Sequence, residues 1–209
     1  MQTFAVISQK GGSGKTTISL NLAIAAARRG KQVVVIDLDP QQSATRWARL
    51  RTSDNPVIVS GHGPNLSALL DRAREGGADV VFIDTAPKSE NASLMAARLS
   101  DLVIIPCQPS SLDLDAIADT VNIAHLAKKP AVFVLNNCRA SSALPDMAAE
   151  ALAEYRLPIA DVRLGSRVAF VKSLSDGKSV VESEPRGAAA REVERLHAFA
   201  LKHARMKAS

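Results

Sequence analysis

The sequence predicts an α/β fold: one domain over residues 1–209, with a mostly parallel β-sheet covered by helices on both faces. Short runs rich in β-branched residues alternate with stretches whose apolar residues recur at helical spacing. That alternation builds βαβ units, whose crossovers lay helices against a parallel sheet. Composition agrees, because 46% of the 209 residues are hydrophobic and only 3% aromatic, an aliphatic balance unlike that of a disordered or fibrous chain. A glycine-rich loop sits between the first strand and the first helix, as in nucleotide-binding α/β sheets.

The elements follow in order. "TFAVIS" is a continuous apolar run and reads as a buried strand. "TTISLNLAIAAARRG" has helical periodicity and stops at Gly30, a residue suited to ending a helix. Further strands are read at "KQVVVIDL", "PVIVS", "DVVFID", "DLVIIP" and "AVFVLNN", with a last candidate near "IADVRL". Helical segments lie between them around Leu20, Trp47, Leu69, Met95, Ile117 and Ala149, and a final helix is expected from about 188 to 204. Residues 52–65, holding Pro56, Gly61, Gly63 and Pro64, form the loosest part. No repeat, low-complexity tract or linker stands out.

Several classes are excluded. Cys107 and Cys138 lie far apart with no C-x-x-C, which argues against a disulfide framework and against a zinc or iron–sulphur site. Buried, inert thiols in a reducing cytosol are expected. No apolar run is long enough to span a membrane. The chain starts almost directly with a strand, so neither a secretory leader nor an N-terminal DNA-reading domain is expected.

The stretch "SQKGGSGKTT" carries the chemistry. Gly14, Lys15 and Thr16 fit the tail of Gly-x-x-x-x-Gly-Lys-Thr, yet the first glycine position holds Gln9 and the second holds an extra lysine, Lys10. Glycines let successive backbone N–H groups converge on phosphate oxygens, and the helix N-terminus adds partial positive charge. Lys15 would reach the β- and γ-phosphates and the Thr16 hydroxyl would face Mg²⁺. The alternative is a plain glycine turn with solvated lysines. Asp37 and Asp39 leave one strand in "VVVIDLDPQQ" and Asp84 leaves another in "VVFIDTAP", where a metal–nucleotide site would lie. Each acid could instead cap the following helix.

With these residues in view, "KGGSGKTT", "VVVIDLDPQQSA", "VVFIDTAP" and "LVIIPCQPSSLDL" resemble the deviant Walker A P-loop ATPases of the ParA/MinD family, in particular the short ParA proteins that segregate plasmids or position cellular cargo. The resemblance covers nearly the whole chain. It implies that Lys10 crosses a dimer interface to the nucleotide of the other subunit, so that ATP drives homodimerisation. It also implies that Gly11, Gly12, Ser13 and Gly14 supply N–H groups, and that Lys15, Thr16 and Thr17 contact phosphates. Asp39 would orient the attacking water. Thr16, Asp37 and Asp84 would surround Mg²⁺, and Asn136 is a candidate adenine contact. A ParB-like or other cargo-bound partner would stimulate hydrolysis, in a cytoplasmic, nucleoid-associated protein.

Charge points to a polyanion. Residues 1–162 hold 16 Lys+Arg and 16 Asp+Glu, whereas residues 163–209 hold 10 and 5, so the whole excess of +5 lies in the C-terminal quarter. "SRVAFVKSLSDGKSVVES" resembles the ParA segment that touches DNA, with Arg167, Lys172 and Lys178 as candidates. Few aromatics and no recognition helix favour binding to duplex backbone without sequence choice.

Three rivals stand beside this reading. A MinD-like membrane ATPase would use "REVERLHAFALKHARM" as an amphipathic anchor, with Val193, Leu196 and Ala200 on one face; the same stripe suits a docked terminal helix. A synthetase, ion-pump subunit or tyrosine kinase with the same loop would need substrate-binding insertions, metal-binding cysteines or a tyrosine cluster. A nucleotide-binding module without turnover would not need Lys10 and Asp39.

Overall fold

The computed structural model describes residues 1–111 and 114–205. Six strands form one sheet: β1 (Gln2–Val6), β2 (Val33–Asp37), β3 (Val57–Ser60), β4 (Val80–Asp84), β5 (Leu102–Cys107) and β6 (Ala131–Leu135). Their order is β3-β2-β4-β1-β5-β6, and every neighbouring pair is parallel. The helices described are α1 (Lys15–Ala27), α2 (Ser43–Ala48), α3 (Leu66–Glu75), α4 (Glu90–Leu99), α5 (Leu114–Ala127), α6 (Leu144–Ala153), α7 (Val168–Ser175), α8 (Val180–Ser183) and α9 (Ala188–Arg205).

The six main strand expectations hold to within a few residues. The last candidate, "IADVRL", does not become a strand. It runs along the edge of β6 with backbone hydrogen bonds from Ala160 N–H to Phe133 O at 2.8 Å and from Leu164 N–H to Leu135 O at 2.9 Å, but it forms only isolated bridges, Phe133 to Ile159 and, just beyond it, Cys138 to Gly165. Its apolar residues Ala160, Val162 and Leu164 are buried against the core, which produces the alternating pattern without a continuous ladder. Two short helices, α7 and α8, occupy the stretch whose secondary structure the sequence left open.

Pleating splits the apolar runs between two cores. Phe4, Val6, Val33, Val35, Phe82, Ile104, Val132 and Val134 face α1 and α9, and Phe4 stacks on Phe82 at 5.1 Å between ring centroids. Ala5, Ile7, Val81, Ile83, Val103, Ile105, Phe133 and Leu135 face the other side, where α3 to α6 supply Leu70, Ala96, Val121 and Leu152. α1 is covered nearly all round, because it lies in the first of these cores with α9 packed against it. Cys107 and Cys138 are both free and buried, and burial pushes their thiols up to about 12 and about 11.

The terminal helix resolves one ambiguity. Val193, Leu196, Ala200 and Ala204 of α9 lie in the α1 core, so the apolar stripe is a docked face; Met206 lies outside the described residues. Among the described residues no helix is long and apolar enough to cross a membrane.

Leu196 is 1% exposed, so Leu196→Ala should cost about 2–5 kcal/mol in urea unfolding. A loss under about 0.5 kcal/mol, as expected at an exposed site, would mean that α9 is not held against the core in solution.

Candidate functional site

The order of the sheet sets the site. β1 lies between β4 and β5, so the loop leaving its carboxyl end emerges beside the loops that follow those strands, where ligands bind in such sheets. In that loop Gly12 and Gly14 have φ of +72° and +97°, conformations that side-chain-bearing residues rarely adopt. A Cβ on Gly14 would also stand 2.0 Å from Asn136 Nδ2. Gln9, which replaces the usual glycine, has no positive φ. Its backbone N–H donates to Thr120 Oγ1 at 3.1 Å, and its amide donates to Ser93 Oγ at 3.3 Å. The departure from the standard motif therefore falls where the backbone does not demand glycine.

Gly14 caps α1 without any side-chain hydrogen bond, and the first turn carries no acid. The helix thus presents its orphan N–H groups and positive end to whatever the loop encloses. Lys15 is folded into the loop, 6% exposed, with Nζ donating to Ser8 O at 3.1 Å and Lys10 O at 3.2 Å. Burial lowers its pKa, and the charges of Asp84 and Asp39 partly offset this. Two carbonyls thus hold the ammonium where phosphate oxygens would otherwise be its partners. Lys10 is half-buried on the same loop.

Two residues anchor the loop from the neighbouring strand ends. Gln108, just past β5, donates from Nε2 to Gly12 O at 2.6 Å, and Asn136, just past β6, donates from Nδ2 to Ser13 O at 2.9 Å. Asn136 is 7% exposed, packed beneath the loop. Its amide, the candidate adenine contact, is engaged by loop backbone 123 residues earlier in the chain. Gln108 was given no role from sequence; its only signal was a polar residue at the exit of a buried strand.

The three acids separate by environment. Asp37 and Asp84 are register partners at the ends of β2 and β4. Asp37 Oδ1 accepts from the backbone N–H of Asp39 at 3.1 Å, while Oδ2 accepts from Thr45 N–H at 2.9 Å and Thr45 Oγ1 at 3.0 Å. Oδ2 thus fastens the start of α2, a capping role, while Oδ1 holds the exit of its own strand. Asp39 is half-exposed, and its Oδ1 accepts from Gln41 N–H at 2.8 Å. It lines a cleft of about 420 Å³ with Gln41, His62 and Ser89.

Asp84 is fully buried. Oδ1 accepts from Ser19 Oγ at 3.3 Å, and Oδ2 has no hydrogen-bond partner. Burial pushes its carboxyl from 3.8 up to about 7; Asp37 adds to this, and Thr16, Lys15 and Ser19 oppose it. An orphaned oxygen, reinforced by the equally orphaned Ser13 hydroxyl, fits a site completed by a hard cation and phosphate oxygens. Among the described residues no three His, Cys, Asp or Glu side chains form a metal cage.

The C-terminal basic residues divide likewise. Arg167 forks onto Glu192, with NH2 to Oε1 at 2.5 Å, and this contact raises its pKa. Its charge is paired with a residue 25 positions on, unlike those of Lys172 and Lys178. Lys172 and Lys178 are exposed, with no ion pair among the described residues. The segment's last four residues lie outside those described.

Comparison with known proteins agrees with this geometry. Residues 4–180 match the CobQ/CobB/MinD/ParA nucleotide binding domain. The maintenance of carboxysome distribution protein A of Halothiobacillus neapolitanus is 29% identical over 198 residues, covering 90% of each chain. The chromosome-partitioning ATPase Soj of Thermus thermophilus is 30% identical over 147 residues, covering 56% of this chain and 59% of that one. Apo McdA of Cyanothece superposes with a TM-score of 0.79 over 96% of this chain and 99% of that one, at 19% identity, a likeness of fold.

The buried acid gives a pH test. The folded-state pKa of Asp84 lies above its unfolded value, so the fold favours the protonated form and loses stability as pH rises from 3.8 toward 7. Nucleotide-free Asp84→Asn should therefore be more stable than wild type near pH 8, by roughly 2–4 kcal/mol, with the gap closing toward about pH 4. Equal denaturation midpoints at both pH values would show that Asp84 is not strained by burial.

Proposed function

Because the chain belongs to the CobQ/CobB/MinD/ParA nucleotide-binding family, we propose that it is an ATP-dependent dimerising ATPase that binds duplex DNA without sequence choice and positions a cargo along it. The observation that carries this is the loop itself. A lysine is folded inward on carbonyls, a second lysine lies beside it, and a buried carboxylate with one unpartnered oxygen sits underneath.

In this reading ATP replaces Ser8 O and Lys10 O as the partner of Lys15. The N–H groups of Gly11, Gly12, Ser13 and Gly14, with Thr16 and Thr17, complete the phosphate cradle. Thr16 and Asp84 would hold Mg²⁺, which when bound neutralises charge on the phosphates. Asp37 keeps α2 in place, and Asp39, at the edge of its cleft, orients the attacking water. Lys10 reaches the nucleotide of a second copy, as an arginine finger supplied in trans does. Dimerisation then waits on ATP, because one subunit leaves phosphate charge uncompensated.

Exposed Lys172 and Lys178, with the surplus of cations after residue 162, support the DNA part. A partner bound to the cargo would stimulate hydrolysis, placing the protein on the nucleoid in the cytoplasm. Plasmid or chromosome partition is one cargo class. A protein assembly is the other, and it is favoured by the relative matched over 90% of both chains, which is named for carboxysome distribution.

Lys15→Ala should abolish tight ATP binding. Lys10→Ala should still bind ATP but remain monomeric by light scattering with ATP and Mg²⁺; a wild-type dimer would remove Lys10 from the interface. Asp39→Ala should dimerise on ATP yet turn over slowly.

Duplexes of unrelated sequence should bind more tightly to the ATP form than to the ADP form. Each phosphate contact should add about −0.9 to the log–log salt slope in fluorescence anisotropy. No binding to any duplex at low salt would reject the DNA reading.

A further inference from the structure

The turn at residues 177–180, between α7 and α8, gathers hydrogen bonds from both helices that leave the nucleotide edge. From α1, Asn21 is 1% exposed; its Oδ1 accepts from Val180 N–H at 3.1 Å, and its Nδ2 donates to Thr17 O at 2.8 Å. From α2, Trp47 Nε1 donates to Lys178 O at 3.2 Å. Just beyond α2, Arg51 donates to Gly177 O at 2.9 Å and grips Glu182 with two bonds of 3.0 Å each. The Arg51 guanidinium also lies 4.6 Å from the centroid of the Trp47 ring.

The joint is tight. The Arg51 side chain is 5% exposed and that of Glu182 is 26%. Glu182 Oε2 also accepts from Ser179 N–H at 2.9 Å, closing a capping box on α8. Gly177 has φ +67°, and a Cβ there would come within 2.7 Å of Leu50 backbone atoms. Nothing larger than glycine fits between α2 and this turn. At its other end α2 hangs from Asp37 through Thr45.

We infer that Trp47, Arg51, Glu182 and Asn21 are positioning residues that make the turn at 177–180 a joint, through which occupancy of the nucleotide site sets the placement of Lys172 and Lys178. This deepens the proposed function, since it rests on that reading of the loop and names how the basic face is regulated. Asp37, at the end of β2 beside Asp39, holds the start of α2 through Thr45, so a displacement at this strand exit would be passed to α2. The bidentate pair and the indole bond carry the movement to the turn, while Asn21 holds it to the phosphate-loop helix. Coupling through a packed polar network of this kind commonly amounts to a 5–150-fold change in affinity.

Trp47 is the only tryptophan in the chain and reports on the joint directly. Its emission should be recorded for nucleotide-free, Mg-ADP and Mg-ATP protein without DNA, alongside anisotropy of a labelled duplex in each state. Wild-type emission should change on adding Mg-ATP. Glu182→Gln should bind ATP within about threefold of wild type, yet lose most of that change and lose about tenfold of its ATP-over-ADP preference for duplex. The paired replacement Arg51→Met with Glu182→Leu leaves no buried charge unpaired, so it should fold and show the same two losses.

Variants that retain both the emission change and the full preference would overturn the joint, as would wild-type emission indifferent to nucleotide. If wild type binds no duplex in any state, the DNA reading fails by itself. The emission arm then decides the joint alone: loss of the response in the variants supports it, and retention refutes it.

Discussion

Burying a carboxylate with one oxygen unsatisfied is costly, and the fold does this at Asp84, at the end of an interior strand between β2 and β1. Oδ1 accepts from Ser19 Oγ, while Oδ2 has no protein donor. The neighbours of Asp84 follow from that constraint. Lys15 and the hydroxyls of Thr16 and Ser19 offset the charge, and Asp37, its register partner, is itself tied down by Asp39 and Thr45. The edge of the sheet is therefore left electrostatically incomplete, and a cation with phosphate oxygens would complete it. A site that gave up this tension for stability would lose its affinity for the group.

Rigidity under the loop serves the same end. A glycine loop with two left-handed residues has little side-chain packing of its own. Gln108 and Asn136 supply the missing order by bonding its carbonyls, which leaves its N–H groups available. Preorganised donors cost little to aim at an anion, because the ordering is complete before it arrives. Lys15 takes the opposite course. It is stored on two carbonyls and must be exchanged, so its release can be coupled to binding.

The same economy extends to the far face. α2 is only six residues long and too short to be stable alone. Its place is fixed at one end by Asp37 and at the other by Trp47 and Arg51 on the 177–180 turn. Between these ties Ala44 and Trp47 pack into the core beside α1. α9 shows the contrast: eighteen residues docked on α1 through Val193, Leu196 and Ala200 form a foundation and not a lever.

The sequence by itself determined the six strands, the long helices and the phosphate loop, because each rests on local signals: continuous apolar runs, helical spacing and glycines at a strand–helix junction. It also located Asp39 and Asp84 at strand exits. It could not separate Asp37 from them, since whether an acid caps a helix or stays unpaired depends on where Thr45 lies. It gave no sign of the ion pair of Arg167 with Glu192 or of the bond from Asn136 to Ser13 O. It read a strand at "IADVRL", where burial without a ladder gives the same alternation. The roles of Gln108 and of the Arg51–Glu182 pair were not legible, because these partners lie about 100 residues away or more. Periodicity records which side of an element is buried; only the tertiary structure decides which polar groups meet there, since such pairs form across distances that no local pattern encodes.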